Sequence, residues 1–201
     1  DQPLNNLQEK KFINLVKKEV KKNDIVIVCD YGHGLISNPI AKQIYSSSKF
    51  LAVNAQINAN NVNNYSINKY RNLDCLVINE SEIRNQLRNK FSDIEKIISK
   101  ITKELNLKNC LVTMGKNGSV VYSKKDSKFY YSPAYASNII DKVGAGDSML
   151  AVISLCMKIK MPNDLALFLG SLAGATAVEN IGNSKFINKD ELLRQIQFSI
   201  K

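Results

Sequence analysis

The stretch DIVIVCD, residues 24–30, is an unbroken apolar run of Ile25, Val26, Ile27, Val28 and Cys29 closed by Asp30. Its length suits a strand better than a helix. Its β-branched residues show no polar alternation, which predicts a strand buried on both faces of a parallel sheet. Ahead of it, residues 7–22 set Leu7, Phe12, Ile13, Leu15, Val16 and Val20 among lysines at near-helical spacing. Behind it comes DYGHGLIS, a glycine-containing loop, and then Pro39 at the start of a short helix over 40–48.

The same grammar repeats along the chain. Residues 50–53, LDCLVINE (73–80) and KNCLVTMG (108–115) read as further strands, with helices over 80–89 and 93–105. The Asn-rich stretch 54–72 reads as a loop with a short helix. SVVYS and KFYYS, on either side of KKDS, alternate as a β-hairpin does. From 141 onward the pattern turns helical, over 145–159, 163–180 and 189–199. Strands alternating with helices predict an open, mostly parallel α/β sheet flanked by helices, with residues 1–201 as one domain. Such sheets bind ligands beyond the carboxyl ends of their strands. Asp30, Asn54, Asn79 with Glu82, and Gly115 fall at those ends and are expected along one edge with the 141–147 turn.

Composition narrows the function classes. The chain has 201 residues, 44% hydrophobic and 23% charged, as an ordinary folded protein does. No apolar run reaches the roughly 18–20 residues of a membrane span. The net charge of +10 raises the possibility of nucleic acid, yet the lysines are spread over helix-like segments without an arginine-rich stripe, so neither a nucleic-acid nor a membrane partner is expected. Cys29, Cys75, Cys110 and Cys156 show no metal-binding spacing and are expected as reduced core thiols of a cytoplasmic protein. The first residue, Asp1, and the polar start lead us to expect a piece of a longer protein.

The chemistry concentrates in DKVGAGDSML, 141–150, where a glycine turn runs into an apolar helix. Helix N-termini with approachable N–H groups suit anions, and a carboxylate beside them suits proton removal. The dinucleotide fingerprint fails because Met149 replaces its third glycine, and MGKNGS, 114–119, lacks the Lys-Ser/Thr ending and first glycine of a Walker loop. The single histidine, His33, has no evident nucleophile partner. What remains is another phosphoryl-transfer design, with Gly144, Ala145 and Gly146 as an anion hole and Asp147 as base. Read without further context, Asp147 is equally a first-turn helix acid, Asn79 and Glu82 a capping pair, and Gly115 and Gly118 turn glycines.

Taken together and in order, INESE, LVTMGKNGSVV and DKVGAGDSML resemble the C-terminal two thirds of the PfkB, or ribokinase-like, carbohydrate kinases. The resemblance implies a ribokinase-like fold lacking the N-terminal strands and lid, and transfer of a phosphoryl group from ATP to a sugar or sugar-phosphate hydroxyl. It implies Asp147 as catalytic base and Thr113, Gly115, Gly118, Gly182 and Asn183 along the nucleotide. Asn79, Glu82 and Asp141 would organise Mg2+, a monovalent cation is a further expectation, and Asp30, Asn54 and Gln56 are candidate sugar contacts. VCDYGHGLIS and VNAQINA are most similar to the heptose-phosphate branch, some members of which are fused to a nucleotidyltransferase; a homodimer is also compatible. Lys142 and Val152 depart from the family pattern. The competing reading is a catalytically silent nucleotide-binding module of a larger protein.

Overall fold

The computed structural model describes residues 3–56, 67–136, 138–181 and 186–199. Six strands form one sheet in chain order: β1 (Val26–Asp30), β2 (Leu51–Ala55), β3 (Cys75–Asn79), β4 (Asn109–Thr113), β5 (Ser119–Ser123) and β6 (Lys128–Ser132). β1 to β4 run parallel, whereas β5 and β6 form an antiparallel hairpin on the far side. The helices are α1 (Asn6–Lys22), α2 (Asn38–Ser47), α3 (Glu80–Gln86), α4 (Ile94–Leu105), α5 (Ala145–Lys158), α6 (Asn163–Val178) and α7 (Lys189–Ser199). Their starts follow local chemistry. Asn5 and Gln8 form a capping box at α1, Ser37 caps α2 with Pro39 in its first turn, and Asp93 caps α4. α4 stops at Asn106, which takes the left-handed conformation at φ 52°.

Side chains alternate across a strand, so β2 to β5 each feed two cores. On one face Val28, Leu51, Val53, Leu76, Ile78, Cys110 and Val112 pack with Ile40 and Ile44 of α2 and Ile97, Ile98, Ile101 and Leu105 of α4. On the other, Ala52, Cys75, Val77, Leu111 and Val121 pack with Met149, Leu150 and Ile153 of α5 and Leu167 of α6. Each fully buried Leu or Ile contributes about 1.5–3 kcal/mol, so both helical layers are held by the same alternating strands.

Among the described residues β1 pairs with β2 alone and is covered on one face: Ile27 is 40% exposed and Cys29 is exposed, while Val28 and Asp30 are buried. An apolar run reveals a strand's composition but not whether a neighbour covers it. Among the described residues Cys29 is exposed, whereas Cys75, Cys110 and Cys156 are buried; all four are free. Among the described residues, no helix is long and apolar enough to cross a membrane. The short helix expected within 54–72 is a single turn at Ile67–Lys69.

Candidate active site

Strand alternation decides which residues meet at the carboxyl end of the sheet. In β2, β3 and β4, Asn54, Asn79 and Thr113 share the parity of Ala52, Val77 and Leu111, so they belong to the face covered by α5 and α6. The register carries them stepwise across the sheet: Cys29 opposite Asn54, Asn54 opposite Val77, Asn79 opposite Thr113, and Thr113 opposite Ser119. With the start of α5 they border a groove of about 790 Å³. Asn54, Gln56, Asn79, Glu82, Thr113, Gly115, Gly118 and the whole run Gly144–Asp147 line it.

At the start of α5, Gly144 adopts φ 81° and ψ −7°, a left-handed conformation that glycine enters without a Cβ penalty. No side chain caps this helix, and its first internal bond runs from Ser148 N–H to the Gly144 carbonyl at 2.9 Å. The N–H groups of Ala145, Gly146 and Asp147 therefore precede the helical ladder and carry the positive end of the helix dipole. Asn54 backs the turn: its Nδ2 lies 3.0 Å from where a Cβ on residue 146 would sit.

Asp147 occupies the first turn. Its Oδ2 accepts a hydrogen bond from the Tyr31 hydroxyl at 2.9 Å, and its Oδ1 is buried without a hydrogen-bond partner. Leaving a buried acceptor unpaired costs about 1–3 kcal/mol, and such exceptions call for a functional or structural reason. The neighbours register this carboxylate. Tyr31 is pushed up to about 12, first by its bond to Asp147 and then by burial and the Asp147 charge. The Cys29 thiol is likewise pushed up to about 12, first by burial and then by the Asp147 charge.

The start of α3 is built differently. Asn79 Oδ1 accepts from Ser81 N–H at 2.9 Å, and the Asn79 N–H donates to Glu82 Oε2 at 2.9 Å, completing a capping box. Asn79 Nδ2 also reaches Thr113 Oγ1 at 3.4 Å. Glu82 thus brings one carboxylate to the groove wall. No group of three or more acidic, His or Cys side chains among the described residues could hold a metal ion by itself. That donor set fits Mg2+ carried mainly by phosphates and water, not an all-protein cage. Gly118 is demanded by the hairpin: φ is 80°, and a Cβ there would lie 2.0 Å from the Ser132 carbonyl oxygen.

Other candidates fall elsewhere. Asp30 does not line the groove. One residue from Cys29, it points to the opposite face of β1, where its Oδ2 is 2.6 Å from Lys69 Nζ and accepts from the Tyr70 hydroxyl at 2.7 Å. Its carboxylate ties β1 to the Ile67–Lys69 turn, so the structure does not bring it together with Asn54 and Gln56 at the groove wall. Asp141 also stays off the groove wall, with Oδ1 accepting from Val143 N–H at 3.0 Å. Gly182 and Asn183 lie outside the described residues. Lys142, Lys116 and Tyr31 do line the groove. Tyr31 was missed as a site residue, because nothing local links it to an acid 116 positions away.

Comparison with known proteins agrees with this architecture. A curated relative from Campylobacter curvus, named Bifunctional protein HldE, is 30% identical over 192 residues, covering 92% of this chain and 40% of the relative. The same-named protein of Campylobacter jejuni is 26% identical over 202 residues, covering 97% of this chain and 42% of the relative. The chain therefore spans well under half the length of these relatives. Among solved structures, Escherichia coli phosphofructokinase-2 in complex with potassium aligns with a TM-score of 0.80 at 15% identity, over 99% of this chain and 64% of that one. Arabidopsis thaliana ribokinase complexed with ribose and ATP gives 0.73 at 17% identity, over 98% and 61%. At those identities the likeness establishes a ribokinase-like fold. The pfkB family carbohydrate kinase profile matches residues 1–190, almost the entire chain, and this chain therefore belongs to the pfkB family of carbohydrate kinases.

Proposed function

We propose that the chain forms the nucleotide half-site and base of a kinase that moves the γ-phosphoryl group of ATP onto a hydroxyl of a sugar or sugar phosphate. The observation that carries this reading is the groove shared by the uncapped α5 start, Asp147, Asn79, Glu82, Thr113 and Gly118, which come from three separate stretches of sequence.

Asp147 receives the proton of the substrate hydroxyl. Oδ1 is sealed, so the acceptor is Oδ2, which has a lone pair left beside its bond from Tyr31. The freed oxygen pair attacks the γ-phosphorus, and the bond from that phosphorus to the bridging oxygen breaks with ADP leaving. The N–H groups at Ala145 and Gly146 face charge growing on the transferring group, where one such donor is typically worth about 10²–10³-fold in rate. Mg2+, when bound with the nucleotide, supplies charge neutralisation at the phosphates. Glu82 and Asn79 would meet its waters, and Thr113 and Gly115 would border the nucleotide. Asn54 and Gln56 are the sugar-side contacts of this reading, and a monovalent cation and the roles of Asp141, Gly182 and Asn183 rest on the family resemblance. We place the activity in a cytoplasmic protein, with residues 1–201 as one domain. The relatives' description as bifunctional supports a fused second activity, for which a nucleotidyltransferase is our reading.

The test is ATP consumption by the full-length protein across a panel of sugars and sugar phosphates. Sugar-dependent turnover is expected. ATP binding without turnover on any acceptor would replace this reading with that of a silent nucleotide-binding module.

A further inference from the structure

Tyr31 follows β1 and is 44% exposed at the groove, yet its hydroxyl is committed to Asp147 Oδ2 at 2.9 Å. The position of Asp147 makes that commitment consequential. It stands in the first turn of a helix whose opening N–H groups no side chain caps. A short carboxylate in that turn has an alternative, which is to fold back and accept from those N–H groups itself, as first-turn acids do. Doing so would spend the base and fill the anion hole in one movement.

We propose that Tyr31 is the positioning residue of the base: its hydroxyl holds the Asp147 carboxylate away from the α5 amides, keeping both the remaining Oδ2 lone pair and the anion hole available. The inference rests on the reading of Asp147 as base. Two features of the site support the restraint. Oδ1 has no hydrogen-bond partner, and of the two side chains that bond this carboxylate, the Tyr31 hydroxyl at Oδ2 is the strong donor and the Cys29 thiol the weak one. Asn54, whose Nδ2 lies beside Gly146, closes the turn from below without bonding Asp147. The titratable groups around the carboxylate are Cys29 from β1 and Tyr31 from the loop after it. Lys116, Lys142 and Glu82 border the same groove, and the His33 ring lies 6.5 Å from that of Tyr31.

The experiment is Tyr31→Phe in the full-length protein, assayed with the best acceptor of the panel across pH. A lost hydrogen bond to a charged acceptor predicts a fall in kcat of about tenfold at neutral pH. The KM for ATP should change less than twofold. An unchanged kcat, or a loss carried wholly by the KM for ATP, would overturn the proposal. Asp147→Asn separates the two readings: if it abolishes turnover while Tyr31→Phe behaves as wild type, the base stands and Tyr31 does not position it. If Asp147→Asn turns over normally, the base reading itself falls. A spectroscopic measurement independent of turnover uses ring-labelled tyrosine: Tyr31 should titrate near 12 in the wild type and fall toward about 10 in Asp147→Asn. A Tyr31 titration unmoved by Asp147→Asn would also overturn the contact.

Discussion

Two helices open onto the same groove with opposite treatments of their first turns. α3 begins with a complete capping box, in which Asn79 and Glu82 satisfy each other's end of the turn. α5 begins with Gly144 at φ 81° and no side-chain cap at all. A cap is worth about 1 kcal/mol, so omitting one beside an otherwise well-formed helix leaves stability unused. The difference teaches what each start is for. The capped one holds a carboxylate still at the wall of the groove, and the bare one, on the proposed reading, offers its amides to the transferring phosphoryl group. Asp147, sited at the bare start but bonded to Tyr31 and not to the helix, belongs to the chemistry of the second kind.

The comparison can be broken most forcefully at Asp147. Asp147→Asn should lower turnover of the full-length protein by about 10²–10⁴-fold while leaving ATP binding nearly intact, measured by steady-state kinetics beside calorimetric titration. A variant with wild-type turnover would make the bare start an ordinary helix end. Gly144→Ala comes next. A methyl group on a left-handed residue strains the turn and crowds the approach to the amides, so turnover should drop by about a hundredfold, with a modest loss of melting temperature. If stability falls and turnover does not, the glycine serves backbone geometry alone.

A smaller effect is legible at Cys29, whose thiol responds to the same carboxylate. Held up to about 12, it should alkylate slowly at pH 8 despite its exposed residue, and Asp147→Asn should speed the reaction severalfold, up to about tenfold, by removing the charge that adds to the effect of burial. The folded value lies above the ordinary 9.0, so the thiol's contribution to stability is present below about pH 9 and is lost as pH climbs toward 12. The smallest change is expected at the capped helix. Asn79→Ala should cost about 1 kcal/mol, or roughly 2–4 °C in Tm, read by thermal unfolding. Should its turnover fall far more than its stability, Asn79 also organises the phosphates, and the contrast between the two starts is one of degree.

Much of this was open to reading from the chain. Short β-branched runs separated by amphipathic periods have few ways to bury themselves, so the strands, the helices and the α/β class follow from local patterning. The N-cap chemistry of Asn79-x-x-Glu82 and the glycine turn before Asp147 are also local, because both act within a few residues of backbone. The exposure of β1 was not legible, since whether a strand has a neighbour is settled by what pairs with it. Asp30 and Cys29 show the same limit at finer scale. They are adjacent in sequence, yet pleating sends one to an ion pair with Lys69 and the other toward Asp147, and only the packed helices give those two faces their meaning.

Local patterning in the chain was enough for the elements, their order and the glycine turn proposed to meet a phosphate, because propensity, capping and hydrophobic period act over one or two turns of chain. Tertiary structure alone decided that Tyr31 meets Asp147 across 116 positions, that Asn54 backs Gly146, and that Gly118 sits where no Cβ fits. Those contacts depend on strand register and on how α5 lies across the sheet. Neither is encoded at any one position; both are set by the collective packing of two cores against six strands.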